Sequence, residues 1–168
     1  IDNLATPTSD GISIFALIPD PGLGQNSTPD FGDYPLDAYF CVNNVKNFTW
    51  PVTDPDGDQL VYSLVAPLDQ GIGFGTGNSG PGAGAYPFYP ACVFAGGYST
   101  SDMIGGTPPM TIDANTGETT ASPAIQGFFA FAVRVEEFRN GVKIGEVRRD
   151  AQYASLPCII SNPPIVSV

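Results

Sequence analysis

Asp54, Asp56 and Asp58 occupy alternate positions of the stretch TDPDGDQLVYSL, residues 53–64. Like charges this close repel one another unless something cancels them. A solvated turn is one reading, since Asp and Gly favour turns and Pro55 suits one. The other is a hard cation, for which carboxylate oxygens are the preferred ligands. An EF-hand is excluded: counted from Asp54, Gly57 is fourth and Val65 twelfth, where that loop needs Gly at position six and Glu at twelve.

Other reactive arrangements fail on composition or spacing. The chain contains no His, which removes Ser–His and Cys–His nucleophilic pairs, His metal sites and the commonest general base together. GTGNSG (75–80) matches the dinucleotide string GxGxxG, but it lies in a Gly- and Pro-rich loop with no helix to follow. Carboxylates are plentiful, yet no spacing singles out a pair for glycoside hydrolysis. The expectation is a protein that is not an enzyme. In YPFYP (86–90), Tyr86, Phe88 and Tyr89 are candidate glycan contacts, with Asn78 and Asn115 nearby. The bland reading of those rings is hydrophobic cover for a long loop.

The elements that must position these residues are strands. Gly and Pro together number 20 and 17 residues of 168, and no long stretch repeats every 3.6 residues, so helices have little room. GISIFALIP (11–19) alternates Ile12, Ile14 and Ala16 against Ser13, Phe15 and Leu17. AYFCV (38–42) and NFTWPV (47–52) follow, then QLVYSLVAP (59–67), with Leu60, Tyr62 and Leu64 on one face. ACVFA suggests a short strand inside the irregular 70–108 section, and PMTIDANTGETTA two strands around a turn at Asn115–Gly117. The clearest signal is GFFAFAVRVEEFRNGVKIGEVRRDAQYASL, a hairpin turning at Asn140–Gly141. In its first strand Phe129, Phe131, Val133 and Val135 share a face, opposite Ala130, Ala132 and Arg134. About seven strands without helices predict an all-β sandwich, with one long Gly/Pro-rich loop insertion. A small barrel ranks second.

Charge and cysteine usage narrow the setting. A net charge of −11 argues against nucleic acid as a partner and suits cation binding. Five of the six basic residues (Arg134, Arg139, Lys143, Arg148 and Arg149) crowd into the hairpin, where Glu136, Glu137, Glu146 and Asp150 are the expected partners. No run is long enough to insert in a membrane. With neither an initiator Met nor a signal peptide, the chain reads as processed or excised from a longer one. Cys41, Cys92 and Cys158 lack the CxxC spacing of a zinc site. Few lysines and abundant Thr, Ser, Asn and Gly favour an extracellular setting, with one disulfide and one leftover thiol.

TDPDGDQLVYSL followed by TIDANTGETTASPAIQGFFAFAVRVEE resembles the cadherin-like, dystroglycan-type Ig-fold pattern. There an acidic loop precedes one strand, and a later turn leads into a strand of the form V-x-V-x-acid. More of the chain (NSTPDFGDYPLDAYFCVN, GGTPPMTIDANTGE and the hairpin through RRDAQ) resembles a module of very large secreted surface proteins of Bacteroidetes-type bacteria. Those are the gliding-motility-associated, PKD-like repeat proteins. The resemblance implies export, through the type IX system, to the cell surface, a role in adhesion or a filament, and no catalysis. It also implies that the chain starts part-way through its unit, since such modules begin upstream of IDNL.

Within the Ig-like frame, a second acid must reach the acidic loop from another strand. Glu137 meets that need by parity, ending the series that counts by twos from Phe129. Asp54, Asp56, Asp58 and Glu137 are therefore the expected Ca²⁺ ligands, the larger ion suiting a flexible carboxylate loop better than Mg²⁺. In such a sandwich the first strand commonly pairs in parallel with the last, which brings Cys41 and Cys158 to one end as a disulfide. The rival pairings join Cys92 to either; otherwise Cys92 is a buried thiol. The expected organisation is one sandwich over 1–161, with 1–37 as an N-terminal strand and long loop. Residues 162–168 (NPPIVSV) form a linker or a strand donated to the next copy. The expected role is a Ca²⁺-stabilised structural or adhesive module whose partners are neighbouring copies or adjacent modules, and surface glycans. A carbohydrate-binding module using the Tyr86–Tyr89 aromatics is the alternative.

Overall fold

The computed structural model describes residues 1–7, 13–34, 37–69 and 90–158. Their strands are β1 (Ile14–Leu17), β2 (Tyr39–Cys41), β3 (Lys46–Thr49), β4 (Gln59–Val65), β5 (Thr111–Ile112), β6 (Glu118–Ala121), β7 (Gly127–Arg139) and β8 (Val142–Leu156). Among the described residues the only helical element is a 3₁₀ turn at Pro21–Leu23. The chain is all-β, with eight strands in its described part against the seven expected.

The hairpin organises the rest. Asn140 and Gly141 have φ of 53° and 77°, the paired left-handed conformation of a two-residue turn whose twist matches that of its strands. β8 pairs with β7 from Arg139–Val142 down to Gly127–Ser155, with one register shift between Glu137 and Phe138. β4 adds antiparallel to the far edge of β7. On the other edge of β8, β1 pairs antiparallel with residues 146–149 and β2 pairs parallel with residues 154–156. A second antiparallel sheet has the order β3-β6-β5. Its tight turn uses the Asp113 carboxylate, which accepts from the amides of Asn115 and Thr116. Gly117 is required there: its φ is +70°, and a Cβ would lie 2.9 Å from the Tyr62 ring.

The two sheets close over an aromatic core. Phe129, Phe131, Val133 and Val135 are fully buried, as the period of two predicted. They pack with Tyr62 from β4, Phe40 from β2, and Val147, Ala151 and Tyr153 from β8. Phe48, Trp50 and Ala121 face them from the second sheet. Phe40 and Phe131 both contact the Tyr153 ring, at centroid distances of 5.0 and 5.2 Å. Trp50 Nε1 donates to Thr119 Oγ1 at 3.2 Å, which satisfies its only donor inside the core. Burying one such ring contributes about 1.5–3 kcal/mol.

Burial departs from simple alternation at two places. Ala130 and Ala132, on the side of β7 away from the core, are buried as well. Leu4 and Cys92 cover Ala130, a second layer that small side chains admit. The N-terminal residues hold it down: the Asp2 amide donates to Phe128 O, and the Asn3 side chain bonds both the amide and the carbonyl of Ala130 at 2.9 and 2.6 Å. Asn3 thereby continues the β7 ladder past the point where β4 ends. Conversely, β1 has the expected alternation but no buried face, with Ile14 72% and Leu17 44% exposed. It is an edge strand that the second sheet does not cover. ACVFA makes isolated bridges, Leu68 to Ala91 and Leu4 to Phe94, and not a strand. Residues 70–89 and 159–168 lie outside the described residues, and with them Asn78, the Tyr86–Tyr89 cluster and the NPPIVSV segment.

Candidate cation site

The acidic loop is shaped by its first member. Asp54 Oδ1 accepts from the amides of Asp56 and Asp58 at 2.9 and 3.0 Å, an Asx arrangement that folds the loop back on itself. The three carboxylates thereby converge, one oxygen from each lying within 4.8 Å of the others. Gly57, at φ +78°, makes the reversal between the second and third. β4 starts directly after the loop, and its pairing of Gln59 with Phe138 brings the loop beside the end of β7.

Glu137 arrives there from β7. It continues the face that carries Phe129, Phe131, Val133 and Val135, but the register shift after it places it at the rim. Its side chain lies over the backbone of Gly145, where a Cβ would collide with Oε2. Glu137 is 0% exposed. Oε1 accepts from Asn26 Nδ2 at 3.0 Å. Among the described residues no amide, hydroxyl or cationic group donates to Oε2 or to the buried Oδ2 of Asp54, and the Glu137 and Asp54 carboxyls lie close enough to share a proton. Burial pushes the Glu137 carboxyl up to about 7; the Asn26 amide opposes this, and a hydrogen bond to Asp54 with the charges of Asp54 and Asp58 reinforces it.

Parity thus placed Glu137 correctly beside the acidic loop. Two partners escaped sequence reasoning. Arg139 reaches Asp58 with both arms of its guanidinium, Nε to Oδ1 at 2.8 Å and Nη2 to Oδ2 at 2.5 Å. It also donates to Gln25 O and Asn26 Oδ1. The Ser27 amide donates to Asp56 Oδ2. The site therefore joins three segments, 25–27, 54–58 and 137–139. No spacing signal marks the first, since Asn26 lies 111 residues from Glu137.

The arrangement suits a hard divalent cation. Its candidate ligands are all oxygens, and three aspartates share the charge of one guanidinium, which bonds Asp58. Two of its buried carboxylate oxygens have no amide, hydroxyl or cationic donor among the described residues, a condition that either a shared proton or a cation relieves. Asp54, Asp56 and Glu137 would hold the ion, with Asp58 shared between it and Arg139.

The hairpin charges pair largely as composition suggested. Lys143 bridges Glu136 and Glu146 at 2.6 Å each, Arg134 meets Glu136 at 3.2 Å, and Arg148 meets Glu146. Four residues depart from that expectation, Glu137 among them, bonded to Asn26. Arg139 crosses to Asp58, and Arg149 stacks on Tyr34 at 3.6 Å. Asp150 is buried and takes the Ser13 amide at 2.9 Å.

At the other end of the hairpin Cys41 and Cys158 form a disulfide, with a Cα separation of 5.2 Å. The parallel neighbour of β8 that brings them together is β2, the second strand of the chain. Cys92 is buried outside the disulfide. Two surface cavities, of about 390 and 270 Å³, lie around Lys46 and around Phe31, and neither is lined by the acidic cluster. Among the described residues no helix is long and apolar enough to cross a membrane. Comparison with protein-family models, with curated proteins and with solved structures gave no match.

Proposed function

We propose that this chain is a non-enzymatic, extracellular structural or adhesive module of a large secreted surface or filament protein, stabilised by Ca²⁺. The observation that carries the reading is the convergence of the Asp54, Asp56 and Asp58 carboxylates beside the fully buried Glu137, whose Oε2, like Asp54 Oδ2, takes no amide, hydroxyl or cationic donor among the described residues. A cation there ties the acidic loop to the last turn of β7 and stiffens the rim of the sandwich. The disulfide supports placement outside the reducing cytoplasm. The dense aromatic core supports a load-bearing role over a flexible one.

The same proposal carries the resemblance to cadherin-like modules of Bacteroidetes-type surface proteins, with neighbouring copies or adjacent modules as partners. Electron microscopy of the native material tests the structural role, for which ordered polymers or regular surface fibres are expected. Monodisperse particles, together with a melting temperature indifferent to Ca²⁺, would contradict it.

A further inference from the structure

The segment between β1 and β2 crosses the acidic site and is fastened to it at consecutive residues. Gln25 gives its carbonyl to Arg139 Nη1 at 3.0 Å. Asn26 spans the site, its Nδ2 on Glu137 Oε1 and its Oδ1 under Arg139 Nη2 at 2.8 Å. Ser27 gives its amide to Asp56. Beyond the site, Asp30 and Thr53 exchange both backbone hydrogen bonds, at 2.8 and 2.9 Å. That bridge anchors one end of the crossing.

With this segment closed, Glu137 is fully buried and Asp54 and Asp58 are part-buried while Asp56 stays exposed, and among the described residues Arg139 is the cation paired with this cluster. Asn26 offers one N–H to Glu137 and leaves Oε2 facing only the neighbouring Asp54 carboxyl. Shielding several like charges with so few donors costs free energy, and opening the segment would let water reach them. An ion among the carboxylates reverses that balance, because the oxygens then have a partner that needs no water.

We propose that a hard divalent cation acts as a clasp that holds residues 25–27 down on the sandwich, with Asn26 as the positioning residue that couples the ion to the segment. This inference rests on the cation-site reading and adds what the ion controls. With the ion bound, the Asn26 amide remains bridged between Glu137 and Arg139. Without it, the segment swings about the Asp30–Thr53 bridge, while β7 and β8 stay paired.

Hydrogen exchange on the whole chain, in CaCl₂ and in excess chelator, tests this alongside a melting curve in each condition. The expected result is a higher melting temperature in Ca²⁺ and exchange at Ser27 about tenfold or more faster in chelator, with β7 and β8 amides unchanged. Asn26→Ala should still melt higher in Ca²⁺ but exchange fast at Ser27 in both conditions. A Ca²⁺-dependent melting temperature with equal Ser27 exchange in the two conditions would overturn the clasp and leave the cation site standing. Equal melting and equal exchange would overturn both.

Discussion

The two ends of the β7–β8 hairpin are closed by different physics. Where β8 finishes, Cys158 is joined covalently to Cys41 across the parallel β2 pairing. Where the hairpin turns, Arg139 reaches Asp58, and the buried Glu137 carboxyl lies against Asp54. The first closure is indifferent to salt, divalent ions and moderate pH. The second is made of charges, so its strength is set by what the solvent supplies. On the proposed reading, one sandwich has a fixed end and an end that would answer to ions.

Breaking the fixed end should have the largest effect. The Cys41→Ser, Cys158→Ser double variant releases a link spanning 117 residues. The chain-entropy model puts the loss at up to about 4.7 kcal/mol for a loop of that order. Denaturant melting should show it, and the size of any Ca²⁺ effect should be the same as in the parent. A double variant that had lost its Ca²⁺ response would mean the ends are coupled.

Removing the ion from the other end comes next. Saturating Ca²⁺ at a hundred times its dissociation constant contributes about 2.7 kcal/mol. Gly145→Ala should abolish that gain without touching a carboxylate, because its Cβ displaces Glu137 Oε2. Isothermal titration of this variant with CaCl₂ should give no binding heat, and parent-like affinity would show that Glu137 is not a ligand.

A third test separates ion dependence from proton dependence. Asp150 lies in the middle of β8, and burial raises its carboxyl from 3.8 to about 6. The folded chain therefore holds a proton that the unfolded chain gives up between those values. Stability attributable to this group is greatest below pH 4, falls as pH rises toward 6, and is level above it. The span is worth about 2–3 kcal/mol. Asp150→Asn should flatten that part of the stability–pH profile in chelator; an unchanged slope would assign it elsewhere.

The smallest effect is expected for Arg139→Lys, which keeps the charge and loses the two-armed grip on Asp58. A small loss of stability should appear in chelator. In Ca²⁺ the loss should shrink, since the ion also neutralises the loop. A larger loss in Ca²⁺ would make Arg139 part of the ion's own binding.

How much of this was legible follows the range of each contact. Asn140–Gly141 and the alternation from Phe129 to Val135 are local signals, and they yielded the hairpin, its buried face and, by continuing the count, Glu137. The cysteine pairing followed from a rule about where strands end, although β2 and not β1 supplies the parallel neighbour. Periodicity could not say whether a second layer covers a face. Ile14 therefore alternates correctly and stays exposed, while Ala130, on the supposed outer face, is sealed by Leu4 and Cys92. Asn26 and Arg139 were invisible as site residues because side chains of common type meet across more than 100 positions with no spacing to betray them.

The central claim is that the hairpin-turn end is closed by a cation held by Asp54, Asp56 and Glu137. Calorimetric melting of the parent chain and of Asp56→Asn, each in millimolar CaCl₂ and in excess chelator, tests it most directly. The account predicts that chelation lowers the melting temperature of the parent and that the difference vanishes in Asp56→Asn. Parent curves that superimpose in the two conditions would contradict it.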